Sequence, residues 1–289
     1  MLLMGCTALP EKPVQFEVIF CSQYDCYQVF QDAITQSNQG ECALYAVNGP
    51  LLKQLAQKGY KLVVDRHVSK SLQGIAHQSN QGEKNLMHNK FCILDSQTVI
   101  TGSYNPVQHR PTYDNIVIIH SPSIAKIYHE EFKELYSKNF GSGKKTKTGD
   151  VFFCPEDACQ EQLLKSIDAA THSIYFMTFA FTANEVGNVL MKKHAAGIHV
   201  EGMMEPSQLG KYSEHSRLER ENISVLIVNN SIVLHHKVFI IDDKTVITGS
   251  YNPTKNANEN NDENMVIIKN ASIALQFLEE FDRIKTRLQ

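Results

Sequence analysis

Two stretches of the chain present the same reactive side chains at the same spacing. The pattern is His-x-Lys-x4-Asp, formed by His88, Lys90 and Asp95 in the first copy and by His235, Lys237 and Asp242 in the second. Each copy runs through an apolar, β-rich segment, so a histidine and a lysine two positions apart project from one face of a strand. An imidazole and an ammonium group therefore point into the same space. The aspartates fall where the strand ends, where we expect them to anchor the turn or pair with a base.

The nine residues TVITGSYNP follow each pattern, at 98–106 and 245–253. Glycine allows a tight turn whose backbone can approach an anion. The serine hydroxyl and the asparagine amide add neutral groups, and with the lysine they describe a cradle for a phosphate. The residues predicted to contribute are Ser103 and Ser250 as phosphate ligands, and Asn105 and Asn252 as donors. Because no serine or cysteine triad surrounds it, the histidine is the expected nucleophile.

The repetition covers roughly half of the chain in each copy. VIFCSQYDC matches VFFCPEDAC, TYDNIVII matches NDENMVII, and SIAKIYHEEF matches SIALQFLEEF, which indicates a duplicated unit. Cleaving a phosphodiester without a metal requires a nucleophile on one side of phosphorus and a proton donor on the other. Two copies related by a pseudo-twofold axis would place His88 and His235 on either side of one phosphate. We therefore expect a monomer with one pseudo-dimeric site and with neither metal nor cofactor.

Segments with strand and helix patterns alternate along each half. The second half predicts strands at 151–154, 173–179 and 199–204, helices at about 156–170 and 183–196, and short strands around 224–228, 237–241, 245–248 and 264–268 before a terminal helix. The first half follows the same order, with a polar loop at 77–85 expected near the site. This alternation predicts an α/β fold whose two units are mixed β-sheets flanked by helices, with the active site at their interface.

A polar stretch rich in Gly, Ser, Thr and Lys occupies residues 137–150 and is typical of a connection between domains. The predicted organisation is a first unit at 14–138, a linker at 139–149 and a second unit at 150–289.

The charge of the chain argues against a protein that binds nucleic acid through many phosphate contacts. The net charge is −3, and residues 1–147 hold 15 basic and 12 acidic side chains against 13 and 19 in the remainder, so the halves carry +3 and −6. Neither half has the basic excess expected of a domain that neutralises many phosphates. A local basic cleft would have to be built from Lys84, Arg110, Lys211 and Lys255.

Four cysteines recur at matching places, Cys21 and Cys26 in one half and Cys154 and Cys159 in the other. They allow local disulfides, a shared four-thiolate zinc site or buried free thiols. The Cys-x4-Cys spacing is looser than that of common zinc knuckles, and nothing in the sequence brings the two pairs together. Disulfides would imply an oxidising compartment.

The N-terminal stretch MLLMGCTALP resembles the end of a bacterial lipoprotein signal, in which Cys6 would be lipidated. Only five residues precede Cys6, too few for a signal peptide. Two alternatives stay open: an upstream start, with the protein in the cell envelope or secreted, or an accidental resemblance in a cytoplasmic protein.

The doubled His-x-Lys-x4-Asp motif, each copy followed by Gly-Ser-x-Asn and an acid-Asn pair, resembles the phospholipase D superfamily from about Val14 to the terminal helix. The halves are most similar to compact bacterial phospholipase D-like endonucleases and mitochondrial cardiolipin hydrolases, fused in tandem. The resemblance implies that one histidine forms a covalent phosphohistidine while the other acts as acid and then base. It implies that Asp114, one methylene shorter than the usual glutamate, and Glu263 hold the second nitrogen of a histidine. The catalytic residues implied are His88, Lys90, Asp95, Asn105, Asp114, His235, Lys237, Asp242, Asn252 and Glu263.

The expected substrate is a phosphodiester, with phospholipid favoured over nucleic acid and with peripheral membrane contact through loops around the cleft. The alternatives are a metal-independent endonuclease or a phosphatidyl transferase of the same chemistry, and a binding module that kept the fold.

The other histidines lack a repeated pattern. His236 points to the strand face opposite His235, so we expect it at the surface or in packing. His67, His77, His109 and His120 have no partner in the sequence, although His77 and His109 lie in polar loops able to line the cleft.

Overall fold

Two seven-stranded mixed β-sheets form the core of the computed structural model, which describes residues 14–70, 72, 74–107, 111–146, 149–229 and 231–288. The strands of the first half are β1 (Gln15–Phe20), β2 (Gly40–Leu44), β3 (Lys61–Val64), β4 (Gln78–Ser79), β5 (Lys90–Leu94), β6 (Thr98–Gly102), β7 (Thr112–Tyr113) and β8 (Asn115–His120). Those of the second half are β9 (Val151–Cys154), β10 (Ser173–Thr178), β11 (His199–Met204), β12 (Ser224–Ile227), β13 (Val233–Leu234), β14 (Lys237–Ile241), β15 (Thr245–Gly249) and β16 (Glu263–Lys269).

The strand order is the same in both sheets. It runs β1-β8-β6-β5-β2-β3-β4 in the first and β9-β16-β15-β14-β10-β11-β12 in the second, so each strand has a counterpart in the other half. This confirms the duplicated α/β architecture predicted from the repeats. The strands β14 and β15 and their equivalents β5 and β6 are antiparallel hairpins, which place the two motif segments of each half side by side.

Helices cover the sheets and join the halves. The helices are α1 (Cys26–Gln36), α2 (Gly49–Gln57), α3 (Arg66–Ser69), α4 (Pro122–Tyr136), α5 (Cys159–Asp168), α6 (Asn184–Ala195), α7 (His215–Arg220), α8 (Lys255–Glu259) and α9 (Ala271–Thr286), with a 3-10 turn at Pro206–Gln208. Buried residues of α4 and α9 pack with strands of both sheets in one shared core, whereas α1 with α2 and α5 with α6 each cover a separate core on one sheet.

The predicted elements agree with the structure except at a few boundaries. The helix expected at about 156–170 begins only at Cys159, because the preceding residue Ala158 has a left-handed φ of 52°, which an α-helix does not allow. The polar segment 77–85 contains only the two-residue strand β4 and otherwise forms a loop. Between α4 and β9, at 137–150, the described residues form no helix or strand.

Backbone hydrogen bonds join the two halves beside each motif histidine. Strand β13 pairs in parallel with β7 of the other half, and His235 donates its backbone N–H to Tyr113 at 3.0 Å. The equivalent contact on the other side is a bridge between Met87 and Asp262, with the N–H of His88 bonded to the Asp262 carbonyl at 2.9 Å. These hydrogen bonds fix the register of one half against the other.

Three disulfides lie within the described residues. Two are the local pairs Cys21–Cys26 and Cys154–Cys159, so the structure resolves the alternatives left by the sequence in favour of disulfides and keeps the two pairs apart. The third, Cys42–Cys92, joins directly opposed residues of β2 and β5. No repeat in the sequence indicates this disulfide, since Phe176 and Phe239 occupy the equivalent positions of β10 and β14. Cys6 lies outside the described residues.

A search of the described helices found none with the length and apolar character needed to cross a membrane.

Candidate active site

The two motif histidines are each held by a carboxylate that belongs to the opposite half. His88 Nδ1 lies 2.6 Å from Glu263, and His235 Nδ1 lies 2.8 Å from Asp114. An Nδ1–H donated to a carboxylate leaves Nε2 as the reactive nitrogen and fixes the orientation of the ring. The predicted carboxylate–histidine contact is present, but the pairing crosses the interface. The shorter Asp114 therefore supports the histidine of the second motif, although Asp114 itself lies in the first half.

Ser103 and Ser250 hold those carboxylates in place. Their hydroxyls donate to Asp114 and Glu263, each at 2.6 Å, and both serines are fully buried. Their backbone N–H groups bond to carbonyls of the adjacent strand. The prediction that these serines bind phosphate therefore does not fit the structure, because their hydroxyl and N–H groups are already committed to the protein.

The glycines before those serines are required by the neighbouring strand. Gly102 and Gly249 have φ of 133° and 138°, and a Cβ on either would lie 2.3 Å from the carbonyl oxygen of Asn115 or Asn264. Both sites therefore accept only glycine without displacing backbone. The sequence predicted that these glycines let an anion approach the backbone. In the structure they instead let two strands approach closely, which brings the acid-Asn pair to the histidine.

The motif lysines lie beside their histidines, as the strand spacing predicted. Lys90 Nζ is 2.9 Å from His88 Nε2 and 3.0 Å from the His88 carbonyl, and Lys237 Nζ donates to the His235 carbonyl at 2.6 Å. Both lysines are almost completely buried. They supply two buried cationic donors beside histidines whose Nε2 atoms are directed away from their carboxylates.

Burial and the crossed charges control the protonation of these groups. Burial lowers the pKa of His88 to about 4; Glu263 opposes that shift, whereas Lys90 and Lys237 reinforce it. Burial likewise lowers the pKa of His235, against the pull of Asp114. Burial would raise the pKa of Asp114, but His235 and Lys237 outweigh it and keep this carboxyl ionised.

The lysine ammonium groups are weakened by the same environment. Burial lowers the pKa of Lys237 to about 8 and that of Lys90 well below its usual range, with Glu263 opposing the change in both. A phosphate anion bound beside these lysines would stabilise their charged ammonium form and so raise their pKa.

The two predicted asparagines lie at the edge of this cluster. Asn252 accepts a hydrogen bond from the N–H of Ala180 at 3.3 Å and is nearly buried. The Oδ1 atom of Asn105 is buried and has no hydrogen-bond partner among the described residues. A direct contact of either amide with phosphate stays a prediction.

Asp95 and Asp242 are turn anchors, as their place at the strand ends suggested. Asp95 accepts the backbone N–H groups of residues 38 and 39, and Asp242 those of residues 171–173, which lowers the pKa of Asp242 to about 2 against the effect of burial. Their φ values of 50° and 52° are those of the two-residue hairpin turns that Asp tolerates. Each lies a strand length from its lysine, roughly 15 Å away, so the catalytic role that the family motif implied for both is not supported by their position.

Two aromatic residues complete the site, and the sequence reading missed them. Tyr45 follows β2, and its ring centre lies 4.5 Å from that of His88 and 5.0 Å from Lys90 Nζ. Phe179 follows β10 and repeats the arrangement at 5.0 Å from His235 and 5.2 Å from Lys237. Their position directly after equivalent strands could have identified them, but the segments YAVNG, which begins at Tyr45, and FAFTA, which begins at Phe179, show little similarity.

Among the remaining histidines, His236 is fully buried, close to Glu280 and Asn115, which confirms packing and excludes the surface. His77 bonds to Ser69, and His120 pairs with Glu17 at a strand edge. His67 does have a carboxylate partner, Asp65, which the sequence did not reveal. His109 and Arg110 lie outside the described residues.

Comparison with known proteins agrees with this geometry. The family described as "Cardiolipin synthase, PLD-like domain" matches residues 8–136 and 163–285, one segment in each half. The chain therefore belongs to the phospholipase D-like family.

Its relatives carry several names. Phospholipase D of Rickettsia bellii (strain RML369-C) is 31% identical over 163 residues, covering 56% of this chain and 81% of that protein. Mitochondrial cardiolipin hydrolase of Mus musculus is 33% identical over 124 residues, covering 43% of this chain and 56% of its own length. The crystal structure of phosphatidylserine synthase from Haemophilus influenzae Rd KW20 matches 95% of this chain and 86% of its own with a TM-score of 0.68; at 11% identity this shows a shared fold.

The pKa shifts predict a pH optimum on the acid side of neutrality. If a neutral His88 attacks phosphorus and a protonated His235 donates to the leaving oxygen, kcat/KM should increase as the pH rises through about 4, where His88 loses its proton. At higher pH kcat/KM should fall as His235, whose pKa is lowered from 6.5, loses that proton, and as Lys237 loses its charge near pH 8. A bell-shaped profile of kcat/KM on a small soluble diester is expected. A rate that keeps rising above neutral pH would contradict these assignments.

Proposed function

We propose that this protein hydrolyses phosphodiesters through a phosphohistidine formed on His88, with His235 as general acid and then general base. The observation that carries the proposal is the crossed pairing, in which each imidazole is oriented through Nδ1 by a carboxylate of the other half. That arrangement directs Nε2 of both imidazoles away from their carboxylates, with His88 Nε2 beside Lys90, which supports attack and leaving-group protonation on opposite sides of phosphorus. Relatives named phospholipase D and cardiolipin hydrolase support a hydrolase.

The two histidines differ in ways that favour these roles. The His88 side chain is 11% exposed against 17% for His235. Burial lowers the pKa of both rings, that of His88 to about 4, so a neutral His88 is available as nucleophile at physiological pH. His235, nearer to solvent, is better placed to exchange a proton with a leaving alcohol and with water.

The reaction then balances in two steps. In the first, His88 Nε2 forms a bond to phosphorus, the bond from phosphorus to the leaving oxygen breaks, and His235 Nε2–H protonates that oxygen. In the second, His235 removes a proton from water as the water oxygen attacks phosphorus, which breaks the phosphorus–nitrogen bond and restores both imidazoles. Lys90 and Lys237 would neutralise the charge that develops on the non-bridging oxygens.

We propose phospholipid as the substrate class. Two lysines suffice for one diester, and the cations that would form a nucleic-acid groove are partly committed: Lys255 lies 3.8 Å from Glu259, and Lys211 covers the ring of Tyr212. Purified protein should release head groups from phospholipid vesicles faster than it cleaves single-stranded DNA or RNA at moderate ionic strength. Efficient nucleic-acid cleavage with a steep salt dependence and negligible lipid turnover would overturn this choice.

Activity is expected to persist in EDTA. The carboxylates beside the histidines, Asp114 and Glu263, are already bonded to imidazole and serine, and the phosphate charge is met by lysine rather than by a divalent cation. Hydrolysis of a soluble diester should be unchanged after exhaustive chelation. Loss of activity that Mg²⁺ or Zn²⁺ restores would contradict the mechanism.

A further inference from the structure

A third histidine beside the cleft is built in the same way as the two motif histidines. His67 Nδ1 lies 2.5 Å from the carboxylate of Asp65, which matches the Nδ1–carboxylate contacts of His88 and His235. Its side chain is 48% exposed, so the ring reaches solvent while its orientation is fixed from below. An imidazole held through Nδ1 presents Nε2 outward.

The carboxylate that holds His67 is part of the rigid frame of the site. Asp65 is fully buried and accepts the backbone N–H of Met87, the residue before His88, at 3.0 Å. It also accepts the Asn80 amide at 3.0 Å and the backbone N–H of His67 at 3.1 Å. The position of the third imidazole is therefore coupled to the backbone that carries the nucleophile.

Tyr45 lies between the two imidazoles of the first half. Its ring centre is 4.7 Å from that of His67 and 4.5 Å from that of His88, so the imidazole centres are at most about 9 Å apart. Within the described part of the chain, neither His67 Nε2 nor the Tyr45 hydroxyl has a hydrogen-bond partner. Two polar groups without protein partners thus border the phosphate site on one side.

The second half lacks this feature. Glu205 takes the place of Asp65, accepting the N–H groups of Leu234 and Ser207, but the residue equivalent to His67 is Ser207. The residue equivalent to Tyr45 is Phe179, which has no hydroxyl. The motif His, Lys, Ser and Asn are the same in both halves, and the carboxylates differ only by one methylene, so the extra imidazole and hydroxyl give the two sides of the site different chemistry.

We propose that His67, with the Tyr45 hydroxyl, binds a second phosphate of the substrate, and that the preferred substrates carry two phosphates joined by a three-carbon bridge. The proposal rests on the proposed phosphate site at His88. A protonated imidazole donates from both nitrogens, so His67 can bond Asp65 and a phosphate together. Six single bonds separate two such phosphorus atoms, a span of at most about 8 Å, which suits the spacing of His67 and His88.

This bridge occurs in two kinds of substrate: lipids in which glycerol joins two phosphates, and nucleic acids, in which sugar carbons do so. The test compares matched pairs that differ only in the second phosphate: phosphatidylglycerol phosphate with phosphatidylglycerol, and a 5′-phosphorylated dinucleotide with the unphosphorylated one. In the wild type the two-phosphate member should have the lower KM in at least one pair. The pair that responds identifies the source.

Replacing His67 by alanine should raise KM for the two-phosphate member about 10- to 100-fold, the effect of one lost charge-assisted hydrogen bond, and leave the one-phosphate member within about twofold. His67→Gln, which keeps a donor near the Nε2 position, should recover part of the loss. Ser207→Ala, at the equivalent place in the second half, is the matched control and should change neither. Equal losses for both members of a pair, or no loss, would overturn the proposal.

A binding measurement separates this proposal from the proposed function. Calorimetry with 1,3-propanediol bisphosphate and with propyl phosphate requires no turnover. The bisphosphate should bind the wild type more tightly, and His67→Ala should remove the difference. If the advantage is present but no diester is hydrolysed, the proposed reaction fails while the second phosphate site stands; if both probes bind alike, the second site is wrong.

Discussion

Replacing His88 by alanine is expected to lower kcat by about 10⁴-fold or more, on activated and unactivated diesters alike. The neighbouring Lys90 and the crossed pair His235–Asp114 would stay in place, but the proposed nucleophile, Nε2 of His88, would be lost. Turnover of a soluble aryl diester and of phospholipid vesicles provides the measurement. His199→Ala, a half-exposed residue at the start of β11, is the control and should retain full activity.

Two results would contradict that assignment. One is an alanine variant of His88 that keeps more than about a hundredth of the wild-type rate, since a missing nucleophile should cost far more. The other is trapped phosphoenzyme whose label maps by mass spectrometry to His235 rather than to His88, which would reverse the roles of the two halves.

The second large effect concerns leaving groups. His235→Ala and Asp114→Asn should both lose about 10³-fold or more on phospholipid, because the leaving alkoxide then departs without a proton. On a diester with p-nitrophenolate as leaving group, which departs unprotonated, formation of the phosphoenzyme should recover in both variants and a burst of p-nitrophenol should appear. Glu263→Gln should behave differently and stay slow with both substrates, because it misorients His88, the proposed nucleophile.

This comparison tests the crossed pairing directly. It groups Asp114 of the first half with His235 of the second, and Glu263 of the second half with His88 of the first. If leaving-group rescue instead grouped each carboxylate with the histidine of its own half, the orientation of the imidazoles by the opposite half would be wrong.

Much of the fold could be predicted because the chain repeats itself. Two copies of TVITGSYNP and of the alternating apolar runs fix strands in both halves, and these appear as β6 and β15 and their partners. The same repetition predicted that His88 and His235 share one cleft, since one motif supplies one imidazole and a displacement at phosphorus needs two groups.

Other features depended on spatial relations that the sequence does not encode locally. The carboxylates could be assigned by motif to a histidine, but which histidine depends on how β7 pairs with β13 and on the bridge between Met87 and Asp262. The serine in Gly-Ser-x-Asn was predicted to bind phosphate. In the structure it is buried and its hydroxyl donates to a carboxylate.

Residues that differ in type between the halves were the hardest to find. Tyr45 and Phe179 occupy equivalent places, yet nothing in their flanking letters aligns them. The partner of His67 is a buried aspartate two positions earlier, and an Asp-x-His pair is too common to be noticed without knowing that its strand ends beside the cleft. Cys42 and Cys92 face each other only because β2 and β5 are neighbours.

The crossed carboxylates also limit how freely each repeat of this chain can change in sequence. A duplicated gene usually leaves one copy free to drift while the other keeps the function. Here neither repeat has that freedom, because the ring in one copy is aimed by an acid encoded in the other. A change at residue 114 would alter the support of the imidazole at residue 235, so the two repeats depend on each other like the subunits of an obligate heterodimer joined in one polypeptide.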